Sequence, residues 1–347
     1  VKGDPSQTST QMEPADIVLV MDCSGSMDGS RLKSAKKAAS DFVDRFIQGE
    51  DSPVRIAIVS YSGFDDQPDS AIRQTLTQNK TQLKNAIYSL SADGGTNIQA
   101  GIHRGQQALH GAGSRTGAAK YMVVLTDGAP TFSFQGNQAT DISGASNTYG
   151  VNKSDFPFIL SGFDYTDYKY KPLLGSSYYY NDTIGNGKNY GLPRSEEYSI
   201  GKFNVINNGQ GTVSEAYAVK AAGTVIYGIG YGNDIGTASN PNNAYRTMMS
   251  VSSEGKYKKA DEANVSQIFN DIANEITSYT AYNAFVTDPM GENFSVITDA
   301  AANYPIQVDG RDPQPGHMRD YVDTTSDNGV KLFSHWSASI PEGNRRW

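Results

Sequence analysis

The segment DIVLVMDCSGSM, Asp16 to Met27, ends an apolar run in a carboxylate, Asp22, and sets serine hydroxyls two and four residues further on, at Ser24 and Ser26. Two other short segments offer matching groups. DGGTN carries Thr96 just before a helix start, and VVLTDG carries Asp127 at the end of an apolar run. All five side chains donate oxygen, and none offers nitrogen or sulfur. Oxygen-only sets select hard cations such as Mg²⁺, Ca²⁺ or Mn²⁺. Two carboxylates nearly neutralise a divalent ion, and hydroxyls are weak donors. Such an ion stays electrophilic and has room for an anionic group from a partner.

For these groups to meet, strands must deliver them to one edge. The run DIVLVM reads as a buried parallel strand, and SRLKSAKKAASDFVDRFIQ as a helix with Leu32, Ala35, Ala39, Phe42, Val43 and Phe46 on one face. VRIAIVSYS and IRQTLT read as strands. TQLKNAIYSL and NIQAGIHRGQQAL read as helices, and KYMVVLTDG as a buried strand. TVSEAYAVKAAG (helix), TVIYGIGYG (strand), AYRTMMSVSS (helix), KYKKA (edge strand) and NVSQIFNDIANEITSY (helix) follow. This alternation predicts an α/β, doubly wound, mostly parallel sheet flanked by helices on both faces. Ligands of such sheets bind at the carboxyl ends of the strands, where Asp22 and Asp127 fall.

Two regions break the rhythm. Residues 131–212 hold nine of the 21 tyrosines and no clear period, and their length exceeds a normal connection. The aromatics argue against disorder, so the region reads as an inserted arm. After Tyr279, YNAFVTDPMGENFSVI and KLFSHWSASI read as β segments. The expected organisation is an α/β domain over 15–278, the arm over 131–212 within it, and residues 1–14 and 279–347 as parts of a β-rich stalk domain. The chain is 347 residues with a formal charge of −8, which argues against nucleic acid as the main partner. Its one cysteine, Cys23, excludes an intrachain disulfide and a cysteine-built zinc site. No apolar run approaches the roughly 20 residues that span a bilayer, so direct membrane insertion is not expected. The chain lacks an initiator methionine and stops at EGNRRW, and reads as a piece of something longer.

DCSGSM, the Thr of GGTN and the Asp of LTDG, in this order, resemble the von Willebrand factor type A domain along roughly 16–278, the arm excluded. The resemblance implies a metal-ion-dependent adhesion site. Ser24 and Ser26 would bind the metal directly, Asp22 and Asp127 directly or through water, and Thr96 in the ligand-binding state, with a partner's carboxylate completing the shell. VTDPMGENF after the last helix and the large insertion after TDGAPTF resemble tip adhesins of sortase-assembled pili in Gram-positive bacteria, whose A domain is inserted in a β domain. This implies a secreted protein on an extracellular, cell-wall-anchored pilus, binding a host matrix or cell-surface protein or glycan and contacting a pilus backbone subunit. Two other readings are a structural pilus cap without a metal-bridged host ligand, and a metal chelatase subunit. The latter needs neither an aromatic arm nor a β domain.

Blander readings stand beside these. Asp22, Ser24 and Ser26 could cap the first helix. Cys23 reads as a small packing residue. GIGYG follows a late strand and lacks the dinucleotide spacing, so close backbone packing explains it. His103 and His110 read as ordinary surface positions, and no nucleophile–base pair is evident, so no enzymatic role is expected. In the arm, Tyr165, Tyr168, Tyr170, Tyr178, Tyr179 and Tyr180 are candidates for a ligand-binding surface, with a purely structural arm as the alternative.

Overall fold

The computed structural model describes residues 14–49, 52–64, 67–138, 177–200 and 203–281, with two short strands beyond them. The chain falls into two compact units, Val1–Ala284 and Phe285–Trp347. In the first, β1 (Ala15–Asp22) is buried over all eight residues, as an apolar run in mid-sheet requires. A single 3-10 turn, Gly25–Met27, leads to α1 (Ser30–Phe46), then β2 (Val54–Tyr61), β3 (Ser70–Thr77), α2 (Lys80–Tyr88) and α3 (Ile98–His110). β4 (Ala119–Thr126) is followed by the arm strands β5 (Phe132–Gln138), β6 (Ser177–Gly185), β7 (Tyr198–Ile200) and β8 (Phe203–Val205). α4 (Asn208–Ala221), β9 (Val225–Tyr231), α5 (Asn243–Val251), β10 (Tyr257–Ala260) and α6 (Val265–Ala281) complete the unit.

Six strands form one sheet in the order β10-β9-β4-β1-β2-β3. All neighbours run parallel except β2 and β3, which are antiparallel. The chain winds from β1 out through β2 to β3, then returns to β4 on the other side of β1. The direction of winding therefore switches between β1 and β4, where crevices at the strand ends arise. Alternation along β1 divides the core. Ile17, Leu19 and Met21 pack with Phe42, Leu83, Phe269 and Ile272 of α1, α2 and α6. Val18 and Val20 face Ile98, Ile102, Ala216 and Met248 of α3, α4 and α5.

Within the arm, β5 pairs antiparallel with β6, Phe132 opposite Gly185, and β7 pairs with β8. α4 starts at Asn208, four residues before the helix read from the sequence and inside the expected arm. Asn207 and Gln210 form a reciprocal capping box. Residues 208–216 are all buried, so this helix lacks the polar face that makes a 3.6-residue period visible. The close-packing reading of GIGYG holds: a Cβ on Gly228 would lie 2.1 Å from Ser252 Oγ, and one on Gly230 2.4 Å from the Tyr257 hydroxyl. β10 is an edge strand, as its sequence suggests.

In the second unit, β11 (Tyr321–Val322) pairs antiparallel with β12 (Phe333–Ser334). The expected stalk strands of YNAFVTDPMGENFSVI, and residues 1–13, lie outside the described residues.

Candidate functional site

β1 and β4 end side by side, Met21 opposite Leu125, so Asp22 and Asp127 emerge at the switch in winding. Asp22 is fully buried. Its Oδ1 accepts the Ser24 backbone N–H at 2.8 Å, and its Oδ2 accepts the Thr126 hydroxyl at 2.7 Å. The Ser24 and Ser26 hydroxyls lie 3.1 Å apart, and Ser26 Oγ donates to Asp127 Oδ1 at 2.7 Å. Asp22, Ser24, Ser26 and Asp127 thus form one chain of polar contacts.

The helix-capping alternative fails. Neither the 3-10 turn nor α1 has a side-chain cap, and α1 starts behind Gly29, whose φ of 79° a glycine adopts freely. The hydroxyls face the carboxylates instead. Cys23 beside them is buried, and burial pushes its thiol up to about 12, which leaves it an inert packing residue as expected.

Thr96 stands on the loop before α3, and this loop is fastened to the first. Gly25 N donates to Gly94 O at 2.9 Å, and Asp93 N to Cys23 O at 2.8 Å. A Cβ on Gly25 would sit 3.3 Å from Gly94 O, so glycine permits this approach. The three expected segments therefore converge. No hydrogen bond among the described residues joins the Thr96 hydroxyl to the other four side chains.

The electrostatics are those of a site short of positive charge. Burial, and then the neighbouring charge of Asp127, push Asp22 up from 3.8 to about 6. Arg31, in the first turn of α1, donates through Nη1 to Asp127 Oδ2 and through Nη2 to Asp234 Oδ2, both at 2.8 Å. Asp127 is wholly buried and Asp234 is exposed on the loop after β9. Two buried carboxylates, of which Arg31 pairs with Asp127, and the hydroxyls between them fit a hard divalent cation: Ser24, Ser26, Asp22 and Asp127 would hold it. Among the described residues no cluster of three or more His, Cys, Asp or Glu could hold a metal, so this set depends on its hydroxyls.

Sequence reasoning missed Arg31, Thr126, Asp234, Asp69 and Thr131. Thr126 adjoins Asp127 in LTDG and was within reach of motif reasoning. The others find their partners far along the chain and carry no local signal.

Of the arm candidates, Tyr165, Tyr168 and Tyr170 lie outside the described residues. Tyr178 is buried with Phe134 and Ala100. Tyr180 stacks on His103 with centroids 3.6 Å apart, and its hydroxyl lies 3.2 Å from Glu215 Oε2. Tyr179 between them is 48% exposed. The expectation that His103 is an ordinary surface residue is corrected: its Nδ1 lies 2.8 Å from Glu215 Oε1, and it anchors β6 on α3 and α4.

Residues 16–156 match the von Willebrand factor type A domain family, and the chain carries a domain of this kind. Over 295 residues, 76% of this chain, it is 25% identical to the minor fimbrium subunit Mfa5 of Porphyromonas gingivalis, and over 116 residues 34% identical to an uncharacterized protein of Synechocystis. It spans only 23% and 25% of those two proteins. Among solved structures, the pilus adhesin SpaC of Lactobacillus rhamnosus GG, in its open conformation, superposes with a TM-score of 0.58 at 21% identity, over 78% of this chain and 31% of that one. The vWF domain of the type V pili tip protein Mfa5 superposes at 0.55 and 22% identity, over 80% of this chain and 99% of that one. At these identities the superpositions establish the fold. No helix among the described residues is long and apolar enough to cross a membrane.

Proposed function

We propose that this chain is the adhesive head of a pilus tip protein, and that it holds a partner's acidic group through a divalent cation, Mg²⁺ first. The observation that carries this reading is the polar chain from Asp22 through Ser24 and Ser26 to Asp127 at the sheet's switch point. A divalent ion there neutralises both buried carboxylates, and Arg31 adds positive charge at the rim. The ion's open coordination position, ringed by weakly donating hydroxyls, draws an anion, such as a carboxylate of a host matrix protein or an acidic glycan. Similarity to SpaC and Mfa5 supports the pilus setting and an extracellular location, and supports a binding role over an enzymatic one. A pilus adhesin and a type V pilus tip protein among those relatives both favour a pilus setting.

Calorimetric titration of the chain with Mg²⁺, and adhesion to immobilised matrix proteins with and without EDTA, test this. The wild type takes up one ion and Asp22→Ala none, and both EDTA and Asp22→Ala abolish adhesion. Adhesion that survives both treatments rejects the metal bridge. A purely structural arm has support of its own, because Tyr178 and Tyr180 are spent on packing against the domain. Tyr179 is 48% exposed, and Tyr180 keeps 36% of its surface open beside its stack on His103.

A further inference from the structure

We infer that Thr131 and Asp69 are positioning residues for Thr96, and that the root of the arm is thereby a working part of the metal site. The inference rests on the metal-site reading above. Both backbone polar groups of Thr96 are held by the arm. Its N–H donates to Thr131 Oγ1 at 2.9 Å, and its carbonyl accepts the N–H groups of Thr131 at 2.8 Å and Phe132 at 3.1 Å. On the far side, Gly95 N and Asn97 N donate to the carbonyls of Gly63 and Ser62, both at 2.9 Å.

Asp69, itself 95% buried, closes the clamp. Its Oδ1 accepts Phe64 N at 2.7 Å. Its Oδ2 accepts Asn97 Nδ2 at 2.7 Å and the Thr183 hydroxyl of β6 at 2.9 Å. One carboxylate oxygen therefore joins the residue after Thr96 to the arm. The fit leaves no slack: a Cβ on Gly95 would lie 2.8 Å from the Phe132 ring, 2.9 Å from Thr131 Oγ1 and 3.0 Å from Gly187 Cα.

Thr96 is buried and its loop is short, so its hydroxyl can move toward an ion only if these partners allow it. Groups that orient metal ligands from outside the coordination shell typically change metal affinity by about 10–100-fold when removed. The arm thus sets where the third ligand loop stands, and a partner that grips the arm changes the hold on the ion.

The test is Mg²⁺ affinity by titration calorimetry, with the melting temperature in EDTA as a check on folding. Thr131→Val removes the acceptor of the Thr96 N–H; it should weaken Mg²⁺ about tenfold. Thr131→Ser restores an oxygen and should recover the affinity to within about twofold, which a merely space-filling role would not predict. Thr183→Ala cuts only the arm's link to Asp69 and should weaken Mg²⁺ by a few-fold. It decides the matter if Thr131→Val melts without cooperativity. Wild-type uptake with unchanged affinity in the folded variants overturns the inference alone. A wild type that takes up no Mg²⁺ overturns the metal reading together with it.

Discussion

Asp22 keeps a proton in the folded chain at a pH where the unfolded chain has released it. Its value rises from 3.8 to about 6 because burial and the Asp127 charge disfavour the carboxylate. The folded state therefore binds more protons than the unfolded state between those two values, and stability falls as pH rises through them. In EDTA this loss is nearly complete at pH 7. Asp22→Asn is expected to raise the melting temperature in EDTA at pH 7 and to lose that advantage at pH 4. The amide fits: its oxygen accepts the Ser24 N–H, and its NH₂ faces Thr126 Oγ1, whose own proton turns to Gly128 O, 3.3 Å away. Mg²⁺ reverses the order, because it stabilises only the aspartate form.

Arg31 acts on the same balance from the rim. Arg31→Gln leaves Asp127 buried without its cation and should cost about 2 kcal/mol in EDTA, discounted for the partial exposure of the guanidinium. The rise in melting temperature on adding Mg²⁺ should then exceed the wild-type rise. Equal rises in a thermal-shift experiment would show that Arg31 and the ion do not serve the same charge. Ser24, Ser26 and Asp127 were legible in the sequence because each sits within a few residues of a strand end. Arg31, Asp69 and Thr131 were not, because their partners lie 96, 28 and 35 residues away and only the fold brings them near.

At the scale of elements, the helices position the site by close approach. α3 begins one residue past Asn97, whose side chain caps it by accepting Ala100 N at 3.0 Å. It then lies flat on the sheet at Gly101, where a Cβ would fall 2.5 Å from the Tyr61 ring and 3.0 Å from Val20. Tyr61 cannot yield, since its hydroxyl donates to Leu125 O at 2.8 Å. Gly101→Ala is therefore expected to lose about 2 kcal/mol in urea denaturation through overpacking, and to weaken Mg²⁺ by shifting the loop that bears Thr96. The strands and helices of the main sheet were readable because each buries one face or two. The hairpin of β5 and β6 was not. Its register shifts between Phe134 and Gln135 and between Gly136 and Gln138, which erases the two-residue alternation. The start of α4 was hidden for the opposite reason, since the arm covers the face that would otherwise read as polar.

For the whole A domain, the strand direction separates two poles. The candidate site lies at the carboxyl ends of β1 and β4. The chain comes in at the other pole, where Ala15 begins β1, and α6 returns to it: Glu275 meets Lys256 and Lys258 at the start of β10. The buried Asp16 is fastened there by Arg115 at 2.7 Å and Lys120 at 2.6 Å. A partner held at the top and a chain pulled from below would stretch β1 lengthwise. β1 is zipped to β2 over eight residue pairs and to β4 over seven. Under such tension these rows are loaded in shear, and their hydrogen bonds must rupture together instead of peeling one after another. A pull applied where Ala15 enters the sheet would therefore meet a grip that resists unravelling strand by strand.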